Sequence, residues 1–430
     1  MFSPLTLTLG SLMVFLLAIG GPPLGQAQHD SPAPTNEQGD GVTLLRNHKF
    51  PAAIATYQKI LKTDPQNEKA TLGLAAAYFG LYNYDQTRRL LQRSAAAHPT
   101  SAAALVELGK LDIHLLHYDD AIVELKRAAQ RQPNSAPAHE QLGVAYQAKG
   151  DEEKALAQFN EAIRLAPGSA SAYYFRGSLY ADRNDDDHAY RDAKEAFRLE
   201  PNSQTQVLLA KTALRANKCD EAIALLQPFA DSASVDPADL YLLSRAYKCA
   251  GQAQRAQELQ DEYEKQSQKA QDAKTHTMNA DHLAANAAEL ARKNQLTPAL
   301  ALLSQALAED PENGATLALL AKIDFSRGDV SKAREEITKA LSIDPYNPDY
   351  LYVQGKVLEN SDPAAALQAF QQTVLVNPTE SDAYYEMGEL YLKMGERTRA
   401  AEALRKAVQL SPEDPDYKKA LAGLAGKPTH

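Results

Sequence analysis

The chain has 430 residues, and its 45 Lys and Arg stand against 55 Asp and Glu, a formal net charge of -10. That balance argues against nucleic acid as the main partner, because gripping phosphates takes a cationic surface. A chain of this length normally divides into two or more globular domains, unless it is built from units that pack only on their neighbours.

The first stretch stands apart. Leu5 to Ile19 is almost wholly apolar, and no charged side chain occurs from Met1 to Gln28. Gly20, Gly21, Pro22 and Pro23 break the run, and Gly25-Gln26-Ala27 places small residues where a signal peptidase reads. The expectation is a signal peptide over 1–27, cleaved near Ala27, and a periplasmic or secreted product with no membrane insertion after cleavage. The alternative is an uncleaved anchor, although so short an apolar run spans a bilayer poorly. Residues 28–40 are polar with Pro32 and Pro34, and read as a flexible leader.

From there a ruler runs along the chain. Pro65, Pro99, Pro133, Pro167 and Pro201 stand 34 residues apart, and Pro311, Pro345, Pro378 and Pro412 follow at steps of 34, 33 and 34. Asn67, Ser101, Ser135, Ser169, Ser203, Asn313 and Asn347 sit two residues after these prolines, where each would cap a new helix. Between prolines, a small residue recurs in the first helix (Ala75, Gly109, Gly143, Gly177, Ala321, Gly355, Gly388) and another in the second (Ala53, Ala121, Ala155, Ala189, Ala256, Ala299, Ala333, Ala400). The clearest unit is Ala136 to Ser169. In it Leu142, Gly143 and Tyr146 mark one helix, Ala155, Phe159 and Ala162 line one face of the next, Gly150 ends the first, and Asp151 is placed to cap the second.

This pattern resembles the tetratricopeptide repeat, a helix–turn–helix unit of 34 residues. The resemblance implies an all-α, right-handed α-solenoid of about eleven stacked repeats, with the first helices lining the concave side. It also implies a non-catalytic protein-binding scaffold. The array divides into residues 34–263, a polar insertion or hinge at 264–279, a second array at 280–412, and a cap helix and tail at 413–430. The step from Tyr247 to Leu290 is 43 residues, and the excess falls in the polar stretch, which is expected to open at low cost and to be cut first by protease.

No catalytic motif survives inspection, and neither a metal nor a cofactor is expected. His114 and His117 with Asp112 and Asp119 read as an exposed turn, and Asp185, Asp186, Asp187 and His188 as the acidic start of a second helix. The family's clamp for a peptide's C-terminal carboxylates needs Asn at the ninth position of a repeat, and none is there. The groove-facing places instead offer Leu72, Phe79, Val106, Ile113, Val144 and Tyr174 in the N-terminal half, and Lys322, Tyr352, Lys356, Tyr385 and Lys393 in the C-terminal half. The expected partner is a protein: a peptide or partner helix held in that groove, in the bacterial cell envelope. A periplasmic subunit of a polysaccharide synthesis or export machine is the alternative. The two cysteines, Cys219 at the start of one second helix and Cys249 at the end of the next first helix, fall on one edge of adjacent repeats. In an oxidising compartment they are expected to bridge.

Overall fold

The computed structural model describes residues 37–232 and 236–425. The apolar segment and the proposed cleavage site lie outside them. Among the described residues there are 22 α-helices and no strand. In order they are α1 Glu37–Arg46, α2 Phe50–Thr63, α3 Glu68–Gly80, α4 Tyr84–Ala97, α5 Ala103–His114, α6 Tyr118–Arg131, α7 Ala136–Lys149 and α8 Glu152–Leu165. Next come α9 Ala170–Asp182, α10 Asp186–Leu199, α11 Ser203–Arg215, α12 Cys219–Ala230, α13 Pro237–Cys249, α14 Ala253–Arg292 and α15 Leu296–Glu309. The last are α16 Gly314–Ser326, α17 Val330–Ile343, α18 Pro348–Leu358, α19 Pro363–Val376, α20 Ser381–Lys393, α21 Arg397–Leu410 and α22 Pro415–Ala425. Taken in pairs they make eleven repeats, α1/α2 being repeat one and α20/α21 repeat eleven, with α22 left as a cap. By contact the described residues form two compact arrays that divide between Lys269 and Ala270.

Each repeat closes on a small residue. An ideal Cβ built on Gly143 of α7 would lie 2.5 Å from the Phe159 ring of α8, and one on Gly355 of α18 would lie 2.4 Å from the Phe370 ring of α19. Only a residue without a Cβ lets the two helices close around such a ring. Phe159 and Phe370 are accordingly 0% exposed. Gly150 ends α7 in the left-handed region at φ 86°, as its position after a periodic helix requires.

Several details differ from the sequence reading. Asn202, one residue before Ser203, caps α11, because its side chain accepts from Thr205 while the Thr205 hydroxyl accepts from the Asn202 backbone. Asp151 makes no cap bond and pairs instead with Lys154 at 2.9 Å. Residues 37–40, expected as part of the leader, already belong to α1. A Cβ on Gly41 of that helix would meet the Tyr57 ring at 2.6 Å, so this glycine serves close packing and does not interrupt the helix.

The largest difference is the polar stretch 264–279. It is continuous helix, the middle of α14, which runs for 40 residues. Between Ala253 and Arg292 there is no Gly and no Pro, and Ala, Gln, Glu and Lys dominate, so nothing stops the helix. The beginning of α14 serves as the second helix of repeat seven. Its end packs Ala284 and Ala287 on Ala299, Leu303, Leu320 and Ile323, and so serves as the first helix of repeat eight. The residues between are solvent-exposed, and the split between the two arrays, at Lys269 and Ala270, falls among them.

Cys219, the first residue of α12, and Cys249, the last of α13, are joined sulfur to sulfur with their Cα atoms 5.6 Å apart. In the chain-entropy account, closing a segment with a sequence separation of 30 stabilises the fold by about 3–4 kcal/mol.

One buried group ties the C-terminal array to pH. Burial and the neighbouring Asp324 carboxylate push the Glu336 carboxyl up to about 7, against the pull of Lys332, whose Nζ lies 3.6 Å from it. The folded value is above the unfolded one, so folding favours the protonated form. Glu336 therefore contributes a penalty that is absent well below pH 4.5, grows between 4.5 and about 7, and is complete above that. Glu336→Gln is expected to raise the melting temperature of the array at pH 8 and to leave it unchanged at pH 4. Thermal melts of both proteins across that range check it.

Candidate functional site

First helices of neighbouring repeats approach one another, as α5 with α7 and α16 with α18 do. Side chains that look across from one first helix to the next are therefore packed wherever they are apolar. This corrects the N-terminal track. Leu72 and Val106 belong to one core cluster, and Ile113 belongs to another against which Val144 packs. Phe79 is buried between the rings of Tyr84 and His114, with centroids 5.5 and 4.9 Å away. Tyr174 is half-buried on the cluster of repeats five to seven, and burial pushes its phenol up. These six residues hold repeats together and offer no open apolar groove.

His114 is not in an exposed turn either. It is half-buried, 3.0 Å from the Tyr84 hydroxyl, and burial lowers its pKa, while Asp112 is buried against Arg88 at 2.5 Å. Asp185 caps α10 by accepting from the His188 backbone, as its position suggested. Among the described residues no group of three or more His, Cys, Asp or Glu is arranged to hold a metal ion.

The C-terminal array is different, because its inward-facing places carry long polar side chains. Lys322 is exposed. Lys356 of α18 lies between Glu359 and Glu386, 2.8 Å from each, and Lys393 of α20 reaches Glu359 at 2.7 Å. Burial works to raise the Glu359 carboxyl, but the two ammonium groups hold it below the usual carboxylate range. Tyr352 joins this strip through its hydroxyl, 3.5 Å from Glu386, and rests on the Phe370 ring; burial, then Glu386, drives its phenol well above the ordinary value. Tyr385 stacks on Tyr417 of α22, centroids 5.0 Å apart, and Tyr417 donates to Asp382.

Beside Tyr385 a cleft of about 670 Å³ opens between α20 and the cap helix, lined by Tyr385, Glu389, Leu392, Arg397, Lys419 and Leu424. Arg397 donates to the Leu424 carbonyl at 3.2 Å and pins one wall. Of the groove residues read from the sequence, the structure brings together Tyr352, Lys356, Tyr385 and Lys393. Glu386, Arg397, Lys419 and Leu424 were not among them. A usable signal existed. The step of 34 from Pro378 to Pro412, applied to Tyr385, lands on Lys419, because α22 occupies the place of a twelfth first helix.

Stacked helix pairs with a lined cleft are the architecture of an interaction scaffold. The family described as tetratricopeptide repeat matches residues 44–108, 136–169, 290–357 and 357–424, more than half of the chain, and the chain belongs to that family. Such repeats bind protein partners, and proteins built from them are typically non-catalytic. Among solved structures, the chain is similar to MamA, at 29% identity over 37% of this chain and 94% of that one, with a TM-score of 0.31. It is also similar to a thermophilic tetratricopeptide protein of Thermus thermophilus, at 27% identity over 43% and 98% with a TM-score of 0.35. A third, the Cut9–Hcn1 hetero-tetramer of APC/C, stands at 14% identity over 89% and 88%, TM-score 0.33. Membership rests on the family matches and not on these likenesses. No curated protein matches the chain. No helix among the described residues is long and apolar enough to cross a membrane.

Proposed function

We propose that the chain is a non-catalytic scaffold of the bacterial cell envelope, and that it holds a peptide or partner helix in the cleft between α20 and α22. The observation that carries this reading is the cleft itself. Tyr385, Leu392 and Leu424 offer an apolar seat, and Glu389 and Asp416 with Arg397 and Lys419 set charges of both signs around it. A ligand with an apolar anchor and flanking charges suits it, since concave apolar pockets with few polar groups are where anchors seat. Export rests on the apolar run Leu5 to Ile19 and the small residues ahead of Gln28, and the N-terminal mass of native protein tests it: a start near Gln28 supports export, and recovery of Met1 overturns it.

The cleft is tested by charge reversal at its rim. The Glu389→Lys/Lys419→Glu chain is expected to lose at least tenfold in affinity for a partner captured from envelope extract, while its melting temperature stays within about 2 °C. Phe79→Ala is expected to do the opposite, lowering the melting temperature and leaving affinity per folded molecule unchanged. Equal capture by wild type and the rim variant would sink the cleft as the binding site.

A further inference from the structure

The Cys219–Cys249 bridge spans two helix ends of opposite sign. Cys219 is the first residue of α12, where unpaired backbone N–H groups put the positive end of the helix beside its sulfur. Cys249 is the last residue of α13, where the carbonyls of Ala246, Tyr247 and Lys248 already accept from backbone N–H groups and only the negative end of the helix dipole lies beside the other sulfur. Their access also differs: Cys249 is exposed and Cys219 half-buried.

The charges around the two sulfurs are mixed. Lys218 and Lys248, both exposed, immediately precede the two cysteines. Of the carboxylates that follow Cys219, Glu221 is engaged by the Tyr190 phenol, which donates to it at 2.7 and 2.9 Å, while Asp220 is exposed to solvent. The Lys218 ammonium sits over the Tyr190 ring, 4.2 Å from its centroid, and so stays close to the start of α12. The amide oxygen of Asn217 lies 3.5 Å from Cys249 Sγ and 3.7 Å from Cys219 Sγ. A thiol released at either position therefore has an acceptor already in place.

We propose that this bridge is a thiol–disulfide exchange site of fixed polarity, attacked at Cys249 and released at Cys219, whose substrate class is a dithiol reductant or a partner's thiol. The incoming thiolate forms a bond to Cys249 Sγ as the Sγ–Sγ bond breaks, and the bonding pair leaves on Cys219 as a thiolate. A dithiol then turns its second thiol on the mixed disulfide, frees Cys249 and is oxidised to its own disulfide. The two protons of the dithiol end on the two cysteines, and two electrons pass from the dithiol to the bridge. The polarity follows because a thiol of lower pKa is the better leaving group, a helix N-terminus lowers a thiol's pKa, and the exposed Cys249 is the sulfur an incoming thiol reaches first. Reduction unties the start of α12 from the end of α13, so the site couples a chemical input to the firmness of repeats six and seven.

The test uses the full chain purified without reductant. It is exposed briefly to glutathione, quenched in acid, treated with N-ethylmaleimide and mapped by peptide mass spectrometry. The expected product carries glutathione on Cys249 and maleimide on Cys219, in at least tenfold excess over the reverse. The reverse product, an even mixture, a bridge that yields only in denaturant, or no bridge at all overturns the proposal. A second measurement is the rate of reduction by dithiothreitol at pH 7. Lys218→Glu is expected to slow it about twofold or more, because a Cys219 thiol of higher pKa leaves more slowly. An unchanged rate in a variant that melts like wild type overturns the leaving-group role of Cys219.

Discussion

Phe159→Ala is expected to destabilise the N-terminal array by about 3–5 kcal/mol, and Gly143→Ala to change sign when made in that background. Phe159 is fully buried in α8 and fills the gap that Gly143 leaves in α7. Removing the ring loses its transfer free energy and leaves a cavity that a stacked array collapses only in part. In the wild type, a Cβ on Gly143 would sit 2.5 Å from the ring, so Gly143→Ala forces the helices apart and costs about 1–3 kcal/mol. With the ring gone the same methyl enters empty space, and the better helix propensity of Ala, about 1 kcal/mol, is left as the main effect. The coupling between the two sites should therefore exceed about 1 kcal/mol, with compensating sign. Urea unfolding of the two single variants and the double variant, followed by helical circular dichroism, measures it. Repeats unfold semi-independently, so the transition compared is the one that includes repeat four. An equal cost of Gly143→Ala in both backgrounds would show that the glycine and the ring do not form a pair.

Elements with a local cause are legible in the sequence. Pro167 and Ser169, or Gly143 with Phe159, act within one repeat, and their spacing displays the helix pair directly. The cysteine pairing is legible at one remove, because the register places Cys219 and Cys249 at adjacent ends of adjacent repeats. The continuous α14 was hidden by attention to the repeat pattern: loss of the pattern suggested loss of structure, whereas helix continuity depends only on the absence of Gly and Pro from Ala253 to Arg292. Of the first-helix positions singled out in the sequence, the polar ones of α18 and α20 converge on a strip and the apolar ones are absorbed into packing. A first-helix position such as Ile113 or Lys356 faces both the neighbouring helix and the inner surface, and which one it serves depends on how closely the neighbour approaches. Short apolar side chains are absorbed into that approach. Long charged ones such as Lys356 and Lys393 reach past it and pair with Glu359 and Glu386.

Repeat five breaks the plug rule, and the last expectation follows from how it does so. Where repeats three, four, ten and eleven place Leu125, Phe159, Phe370 and Leu404 against a glycine, repeat five has only Ala193, and the nearest atom to a Cβ on Gly177 is the Asp192 Cβ at 3.1 Å. The space is held by an ion pair. Arg176 donates through Nε to Asp192 at 2.7 Å, through Nη2 to its other oxygen at 2.8 Å, and through Nη1 to Asn160 at 2.7 Å. The side chains are 19% and 10% exposed, and the rings of Tyr173 and Tyr180 lie 5.6 and 6.0 Å from the guanidinium. Arg176→Leu strands a desolvated carboxylate and is expected to cost about 3–5 kcal/mol. Asp192→Gln should cost less, since Asn160 and the two rings still support the cation. The double variant recreates Leu142 and Gln158, the residues repeat four carries at the same two positions, and leaves no buried charge. Its cost is expected to fall short of the sum of the single costs by about 2 kcal/mol or more, because a buried pair replaced as a pair loses little while a pair broken loses much. Urea unfolding at 0.1 M and 1 M salt measures the cycle. The coupling should persist at high salt, as a largely buried pair is poorly screened. Additive costs, or a coupling that vanishes in 1 M salt, would mean that Arg176 and Asp192 behave as surface charges and that repeat five is closed by something else.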